Sequence, residues 1–346
     1  MPERPAASPA RLGDVAEQAG VSPMTVSRVV NGTGSVRAET RQRVLATIER
    51  LGYRPNGFAR GLATGRSRTL GVVALDSVLH GPASTLFGLE NAAREAGYGV
   101  AISSVGDPAD SREAIEVLRG QRVGGIVVIA PHVETTRVLA DVPGDVPVVA
   151  VADTDSAPVP VVAVDQRDGA RRATEHLLAL GHRTVQHISG PAGWLETETR
   201  EQAWRAALQE WGAPEPPVLS GDWSPRSGYA AGRELVARGD FDAVFAANDQ
   251  MALGLLRALA EAGLKVPDDV RVVGFDDVPE AAYYAPPLTT VRQDFIALGR
   301  SAFDRVLLRM EGGRPEPRAS VPAELIVRDS TGPRRRRTDD PPLRTT

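Results

Sequence analysis

The first 55 residues contain three groups of apolar residues at helical spacing. The first group is Leu12, Val15, Ala16 and Ala19, the second is Val26, Val29 and Val30, and the third is Val44, Leu45, Ile48 and Leu51. Spacings of three and four residues place side chains on one face of an α-helix. The pattern therefore predicts three small helices that turn these side chains inward.

The second of these helices has sharp ends. Ser22 can cap it, and Pro23 suits its first turn, where the backbone N–H has no helical partner. Asn31 and Gly32 end it after about two turns. Only residues 20–22 separate it from the first helix, which is the spacing of a helix-turn-helix.

The outward face of the second helix carries Met24, Thr25, Ser27 and Arg28. In a helix-turn-helix this helix enters the DNA major groove, where such side chains reach bases and phosphates. The pattern favours a DNA-binding module.

From Thr69 onward, apolar runs of strand length alternate with helical stretches. The runs are TLGVVAL, GVAISSV, GGIVVIA, VPVVAV, VVAVD, TVQHISG, AVFAAN and VRVVGF. The helical stretches include Ala109–Gly120, Asp168–Leu180, Thr199–Trp211 and Gln250–Gly263. This alternation predicts parallel sheets with helices on both faces, and the number of runs is sufficient for two sheets.

Composition agrees with a folded α/β protein. The chain has 346 residues, of which 42% are hydrophobic. A chain of this length is expected to form roughly two or three domains. It has no cysteine, which excludes disulfides and Cys-ligated metal sites. Neither a signal-peptide pattern nor a run of about 18 apolar residues is present, so we expect a cytoplasmic protein with no membrane partner.

Charge is unevenly distributed. Residues 1–70 contain 11 Arg and 5 acidic residues, about +6, whereas the remaining residues carry 29 basic and 39 acidic side chains, about −10. A basic N-terminal module on an acidic body indicates that the first part contacts a polyanion. A solvated arginine-rich surface would give the same count.

Polar residues stand at the ends of three predicted strands, namely Asp165, Asn248, Asp249, Asp276 and Asp277. Ligands of open parallel sheets bind outside the carboxyl ends of the strands, so these residues are candidates for a binding cleft. Each could instead cap the helix that follows it, and for Asp249 and Asp277 we favour capping.

Nothing in the sequence indicates catalysis. The five histidines His80, His132, His176, His182 and His187 are scattered, and no nucleophile–base pair, metal-ligand spacing or cofactor loop occurs. We therefore expect no enzyme activity, no metal and no cofactor.

The segment DVAEQAGVSPMTVSRVVNGTGSVRAETRQRVLATIERLGYRPNGFARGLATGRS resembles the DNA-binding headpiece and hinge of the lac repressor / gal repressor (LacI) family of bacterial transcription regulators. The stretches HLLALGHRTV, GDWSPRSGY, ANDQMALGLLRAL, VVGFDD and PPLTTVRQDF are similar to the family in order and spacing. The resemblance covers nearly the whole chain.

The resemblance implies an all-α helix-turn-helix headpiece followed by an α/β core of two doubly wound parallel-sheet lobes, similar to periplasmic binding proteins. The expected segments are a disordered N-terminus at 1–10, the DNA-binding domain at 11–55, a hinge helix at 56–67, the core at 68–332 and a disordered tail at 333–346. Lobe 1 is expected at about 68–165 and 293–321, and lobe 2 at about 166–292 and 322–332, with crossings near Asp165, Arg292 and Pro322.

Matching positions imply roles for individual residues. DNA contacts are expected from Ser22, Met24, Thr25, Ser27, Arg28, Asn31, Asn56, Ala59 and Leu62, the last entering the minor groove. Effector contacts are expected from Leu79, Asp165, Arg200, Trp223, Asn248, Asp276, Gln293 and Phe295. Trp204 and Trp211 lie on a helical stretch and are expected to be packing residues.

The effector set suits a carbohydrate, because carboxylate, amide and guanidinium groups take paired hydroxyls and an indole covers an apolar sugar face. The sequence departs from the lac repressor pattern at Ala152, where that pattern has a cleft carboxylate, and Asp153 follows one place later. Ile129 replaces a cleft Asn. A β-glucoside, another disaccharide or a monosaccharide therefore stays open.

The expected function is that of a dimeric repressor that binds a pseudo-palindromic operator on double-stranded DNA and leaves it when a sugar effector binds between the lobes. The end of the chain, GPRRRRTDDPPLRTT, has no leucine heptads, which favours a homodimer over a tetramer. Two alternatives are a purine- or nucleoside-responsive regulator of the same family and a sugar-binding transport protein without a DNA role.

Overall fold

The computed structural model describes residues 10–31, 34–53, 67–75 and 78–332. The chain divides into two compact units, Met1–Arg68 and Thr69–Thr346. The predicted tail at 333–346, hinge residues 56–66 and residues 1–9 of the predicted N-terminal segment lie outside the described residues.

The N-terminal unit contains the three predicted helices, α1 (Leu12–Ala19), α2 (Pro23–Asn31) and α3 (Ala38–Leu51). Val15, Val26 and Val44, one from each helix, are fully buried and form its small core. Gly20 ends α1 with a φ of 62°, a conformation that favours glycine.

Polar contacts fix the helix ends of this unit. The Oγ of Ser22 accepts the backbone N–H of Thr25 at 3.2 Å, so Ser22 caps α2 as predicted. The Nε of Arg43 on α3 donates to the carbonyl of Ala19 at 2.9 Å and satisfies a carbonyl left open at the end of α1.

The inward position predicted for Leu45 is wrong. Its side chain is 50% exposed, whereas Thr47 is 4% exposed and faces the core with Val44. The helix places Val44 and Thr47 one turn apart on the same face, and Leu45 lies to the side of it. Thr47 can be buried because its hydroxyl donates to the carbonyl of Arg43 at 2.9 Å.

The core unit is built from short strands and longer helices in alternation. Its strands are β1 (Thr69–Leu75), β2 (Gly99–Val105), β3 (Gly125–Ile129), β4 (Val148–Val151), β5 (Val161–Val164), β6 (Gln186–Ser189), β7 (Leu219–Ser220), β8 (Ala243–Ala246), β9 (Arg271–Asp276), β10 (Thr289–Gln293), β11 (Arg318–Val321) and β12 (Ala323–Ile326). Its helices are α4 (His80–Glu95), α5 (Ser111–Gly120), α6 (Val133–Val138), α7 (Gln166–Ala179), α8 (Leu195–Glu210), α9 (Pro225–Arg238), α10 (Asp249–Glu261) and α11 (Phe295–Met310).

The strands form two six-stranded sheets, each the centre of one lobe. The first has the order β11-β5-β4-β3-β1-β2 and the second the order β12-β10-β9-β8-β6-β7. Neighbouring strands are parallel, except that the edge strand β12 runs antiparallel to β10. The central strands β3, β4, β5 and β8 are buried along their whole length, because helices cover both faces of a doubly wound sheet.

The chain passes between the two sheets three times. It leaves the first sheet after β5 at Asp165, returns after β10 at Asp294, and crosses again at Pro322 between β11 and β12. The second passage follows Gln293, one residue beyond the Arg292 that the sequence suggested.

Two tryptophans expected to pack behave differently. Trp204 is fully buried on α8, and its Nε1 donates to the carbonyl of Val185 at 3.0 Å. Trp211 is 50% exposed, so the packing role predicted for it is wrong. It lies just past the end of α8, so the periodicity of that helix does not place its side chain.

No helix among the described residues is both long and apolar enough to cross a membrane.

Candidate functional site

A cleft of about 380 Å³ lies between the two lobes, at the carboxyl ends of strands from both sheets. This is the edge at which open parallel sheets bind ligands. Of the eight predicted effector residues, those that line it are Leu79, Arg200, Trp223, Asn248, Asp276, Gln293 and Phe295.

Asp165 is the exception among the predicted effector residues. Its carboxylate accepts the backbone N–H of Asp168 at 3.0 Å and caps α7, and it does not line the cleft. The next residue, Gln166, is 4% exposed and lines the cleft instead. This hydrogen bond holds the Asp165 carboxylate beside the first turn of α7.

Asn248, which was predicted to contact the effector, has the helix-capping role that was predicted for Asp249. Asn248 lines the cleft and is also the cap of α10, because its Oδ1 accepts the N–H of Met251 at 2.8 Å. The capping role predicted for Asp249 is therefore wrong. The Asp249 carboxylate is fully buried, accepting the Thr290 hydroxyl at 2.6 Å and the Val278 N–H at 2.9 Å.

Asp277 does not cap a helix either, and the prediction for it is wrong. Its two carboxylate oxygens bind Arg292 at 2.7 Å and Arg328 at 2.6 Å. Arg292 lies on β10 and Arg328 follows β12, so Asp277 links these two segments of the chain.

A hydrogen-bonded network crosses the floor of the cleft. Arg200 is 4% exposed, and its Nε donates to Oε1 of Gln166 at 2.9 Å. The Nε2 of Gln166 donates to Oε1 of Gln293 at 2.7 Å, and the Nε2 of Gln293 donates to Oδ1 of Asp276 at 2.6 Å. Gln166 follows the first crossing and Gln293 precedes the second, so the network joins two of the three connections between the lobes.

The opposite charges of Arg200 and Asp276 lie close together at this floor, where both side chains are largely buried. The Nη2 of Arg200 lies 4.0 Å from Oδ1 of Asp276, and the guanidinium stacks 3.9 Å from the ring centre of Phe275. Burial raises the pKa of Asp276, while Arg200 and the amide of Gln293 act in the opposite direction.

Aromatic rings line two walls of the cleft. Trp223 and Trp194 contact edge to face with ring centres 5.6 Å apart, and Phe295 meets His80 in the same way at 5.6 Å. The Nε1 of Trp223 is buried, and none of the described residues accepts a hydrogen bond from it. Gly190 leaves room for this ring, since a Cβ there would lie 2.1 Å from Cη2 of Trp223.

Backbone strain concentrates beside the cleft. Trp223, Asp276 and Asp277 have φ values of 69°, 113° and 54°, in a region that side chains other than glycine rarely adopt. Such conformations cost about 1–3 kcal/mol each and occur at binding and catalytic sites.

Three acidic residues that line the cleft, Asp153, Glu196 and Asp222, were not among the predicted effector contacts. Asp153 lines the cavity, although it stands one position after the place where a cleft carboxylate was expected. Its Oδ1 accepts a hydrogen bond from Nη2 of Arg318 at 2.7 Å. Burial raises the pKa of Glu196 to about 7. Asp153 could have been found by its position just after a buried strand, but nothing near Glu196 in the sequence indicated a site.

A non-covalent clasp also joins the lobes along one side of the cleft. It pairs residues 131–133, after β3, with residues 193–195, before and at the start of α8. The N–H of Leu195 donates to the carbonyl of Pro131 at 2.8 Å, and the N–H of Val133 donates to the carbonyl of Gly193 at 3.0 Å. Leu195 itself packs into the apolar cluster of the first lobe.

The second candidate site is the outer face of α2. Met24 is 64% exposed, Ser22 and Arg28 are exposed, and Thr25 and Ser27 are half-buried. Asn31 is the last residue of the helix. The predicted contacts Asn56, Ala59 and Leu62 lie outside the described residues.

The described part of the chain contains no group of three or more His, Asp or Glu side chains arranged to hold a metal ion.

Two families match the sequence. Residues 11–56 match "Bacterial regulatory proteins, lacI family", and residues 174–331 match "Periplasmic binding protein-like domain". The lactose operon repressor of Escherichia coli (strain K12) is 35% identical over 327 residues, covering 93% of this chain and 91% of its own. The transcriptional repressor PurR of Haemophilus influenzae (strain PittEE) is 32% identical over 330 residues, covering 93% of this chain and 98% of its own.

Solved structures agree with these relatives. A lac repressor dimer bound to operator and the anti-inducer ONPF superposes with a TM-score of 0.88 at 35% identity, covering 94% of this chain and 99% of that one. A complex of the transcriptional regulator CelR with cellobiose gives a TM-score of 0.70 at 34% identity, covering 93% of this chain and 99% of that one.

Proposed function

Because this chain belongs to the lacI family of bacterial regulatory proteins and is a DNA-binding transcriptional regulator rather than an enzyme, we propose that it is a homodimeric repressor whose effector is a sugar bound between the lobes. In this proposal the sugar releases the protein from a pseudo-palindromic operator.

The observation that carries the sugar assignment is the pairing of hydrogen-bonding groups with aromatic walls in one cavity. Asp276, Gln293 and Arg200 form a fixed row on the floor, and Trp223 and Phe295 line walls beside it. A sugar ring presents hydroxyls at its edge and apolar C–H groups on its faces, and this arrangement is complementary to both. The cellobiose complex of CelR, a similar protein, supports the same class of ligand.

For DNA binding we assign direct contacts to the outer face of α2. Arg28 and the hydroxyls of Ser22, Thr25 and Ser27 suit phosphates and base edges, and Met24 offers only an apolar contact such as one with a thymine methyl. Asn31 at the end of the helix belongs to the same proposed set. Asn56, Ala59 and Leu62 are assigned to the hinge contact with the minor groove.

Our proposed mechanism couples cleft occupancy to the relative angle of the lobes. A sugar that contacts both walls favours one arrangement of the three crossings and the clasp, and a changed lobe angle alters the spacing of the two headpieces in a dimer. Coupling of about 1–3 kcal/mol changes DNA affinity by roughly 5- to 150-fold, which is sufficient for regulation.

Ligand binding can be tested with the tryptophans of the cleft. Trp194 and Trp223 line the cavity, so a bound sugar is expected to change the intrinsic fluorescence. We would titrate the intact chain with cellobiose, lactose, glucose and galactose, and with hypoxanthine and guanine as purine probes. Saturable binding of at least one sugar supports the proposal, whereas saturable binding of the purines alone would replace it with a purine effector.

A further inference from the structure

The cleft holds more negative than positive charge. The acidic side chains that line it are Asp153, Glu196, Asp222 and Asp276, and the arginine that lines it is Arg200. Arg318 reaches the cleft only through its ion pair with Asp153. When all six groups are ionised they give four negative and two positive charges, and for Glu196 this requires a pH above its raised pKa of about 7.

Both arginines are already engaged by the protein. Arg200 donates to Gln166 and to the carbonyl of Ala247 and lies beside Asp276, with 4% of its surface exposed. Arg318 binds Asp153 at 2.7 Å and Asp155 at 3.1 Å. A phosphate or carboxylate group on a ligand would therefore have to compete with these partners.

Asp153 on the first lobe and Glu196 on the second both line the cleft. Each has one buried carboxylate oxygen, Oδ2 and Oε2 respectively, with no hydrogen-bond partner among the described residues. Arg318 engages the other oxygen of Asp153, so the Asp153 carboxylate is fixed in place. Glu196 directly follows the clasp residue Leu195, whose backbone is bonded to Pro131, so its backbone position is fixed as well.

Carboxylates that line a cleft favour some ligand groups over others. A hydroxyl or amine of a ligand can donate a hydrogen bond to a carboxylate. A phosphate or carboxylate of a ligand has no proton to donate and is repelled by the like charge.

Resting on the proposed function, we propose that Asp153 and Glu196, facing the cleft from opposite lobes, select an uncharged sugar as the effector and reject sugar phosphates and sugar acids. Specificity of this kind comes from repulsion of the wrong ligand as much as from attraction of the right one. Asp153 is held in place by Arg318, and Glu196 has a carboxylate oxygen with no partner among the described residues.

The test compares the affinity for neutral sugars with the affinity for anionic derivatives of the same sugars. The probes are cellobiose with cellobionate, lactose with lactobionate, glucose with glucose 6-phosphate and glucuronate, and galactose with galactose 6-phosphate and galacturonate. Binding is measured at pH 7.5 from tryptophan fluorescence and by calorimetry for the intact chain, for Glu196→Gln and for Glu198→Gln. Glu198 lies on the same helix with its side chain exposed and serves as the matched control.

We expect each neutral sugar that binds to do so at least tenfold more tightly than its anionic counterparts. Glu196→Gln keeps the shape of the side chain and should reduce this preference at least threefold, while Glu198→Gln leaves it unchanged. Equal or tighter binding of an anion by the intact chain would overturn the inference and leave the sugar assignment standing, and so would an unchanged preference in Glu196→Gln. If no probe of either kind binds, the proposed function itself fails, and the inference fails with it.

Discussion

Asp276 and Asp277 follow one another at the end of β9, yet their carboxylates have different partners. Asp276 turns into the cleft and accepts only the amide of Gln293, with Arg200 nearby. Asp277 turns away from it and pairs with Arg292 and Arg328. Both residues have positive φ angles, and we expect Asp276 to contribute to ligand binding and Asp277 to stability.

Asp276→Asn is expected to weaken sugar binding by about 10- to 100-fold, because a hydrogen bond to a charged group contributes about 1.5–3 kcal/mol. The amide keeps an oxygen for Gln293, so the fold should be retained. Calorimetric titration of the intact chain and the variant measures the effect.

The matched control for this prediction is the neighbouring residue. Asp277→Asn removes the charge that holds two arginines, and we expect it to lower the melting temperature while sugar affinity changes less than threefold. A larger loss of sugar affinity in Asp277→Asn than in Asp276→Asn would contradict the assignment of the two carboxylates.

Glu196 makes stability depend on pH. Its pKa is raised to about 7 by burial, with Asp153 and Asp276 adding to the shift and Arg200 opposing it. Between pH 4.5 and 7 the unfolded chain releases this proton while the folded chain keeps it, so the contribution of Glu196 to stability falls as the pH rises. Glu196→Gln removes this loss and should stabilise the protein above pH 7 by an amount on the order of 2–3 kcal/mol, with no gain below pH 4.5.

Denaturant unfolding at pH 5 and pH 8 tests this dependence. The gain of Glu196→Gln over the intact chain should grow between the two values, and Glu198→Gln should show no such growth. A gain that is the same at both pH values would mean that Glu196 titrates normally in the folded chain.

At the scale of elements, the clasp is the feature with the clearest consequence. Residues 131–133 and 193–195 form a short antiparallel bridge between lobes, and Leu195 of the second lobe fills a place in the apolar cluster of the first. Pro131, Trp194 and Glu196 also line the cleft, so the clasp and the ligand share a wall. Opening the lobes requires this contact to separate.

Leu195→Ala is expected to weaken the closed arrangement and to raise the dissociation constant for sugar about tenfold or more. Removing a buried leucine side chain lowers the free energy of unfolding by about 2–5 kcal/mol. Part of this loss weakens the contact between the lobes. Small-angle X-ray scattering should show a larger mean radius for the variant without ligand.

Leu208→Ala provides the comparison, because Leu208 lies on the same helix and is fully buried near its other end, beside Trp204. It should lower stability by a similar amount and leave the radius and the sugar affinity unchanged. Equal effects of the two variants on sugar affinity would show that the clasp has no special role.

Much of the element order could be predicted from apolar periodicity. The eight predicted strand runs correspond to strands, because buried parallel strands are continuous runs of apolar residues. Strands β7, β10, β11 and β12 were not predicted since they are short and contain polar residues such as Arg292 and Glu324. The inward face assigned to Leu45 failed for a related reason, because apolar character alone does not determine which face of α3 is buried.

The cleft could be predicted only in part. Resemblance to a family identified seven residues that line the cavity, among them Arg200 and Asp276. It did not identify Glu196 or Asp153, because their position in the cavity depends on the clasp and on the pairing with Arg318. Such contacts join residues far apart in the chain, and no local pattern encodes them.

At the scale of the whole molecule, the chain joins a basic N-terminal segment to an acidic core, and we expect this core to close on a ligand. The Gln166–Gln293 hydrogen bond joins the first and second crossings, and Arg318 near the third crossing binds Asp153 in the cleft. A ligand at the cleft floor would therefore lie beside the first and second connections between the lobes, and we expect it to influence the lobe angle.

The most direct measurement of the central claim is operator binding with and without the sugar. A duplex selected from random sequences by the intact chain would be labelled, and its affinity measured by fluorescence anisotropy for the intact chain and for Asp276→Asn. We predict that a saturating neutral sugar weakens the binding of the intact chain by roughly 5- to 150-fold. The same sugar concentration should leave Asp276→Asn bound. A sugar that fills the cleft without changing DNA affinity, or that releases both proteins equally, would contradict the claim.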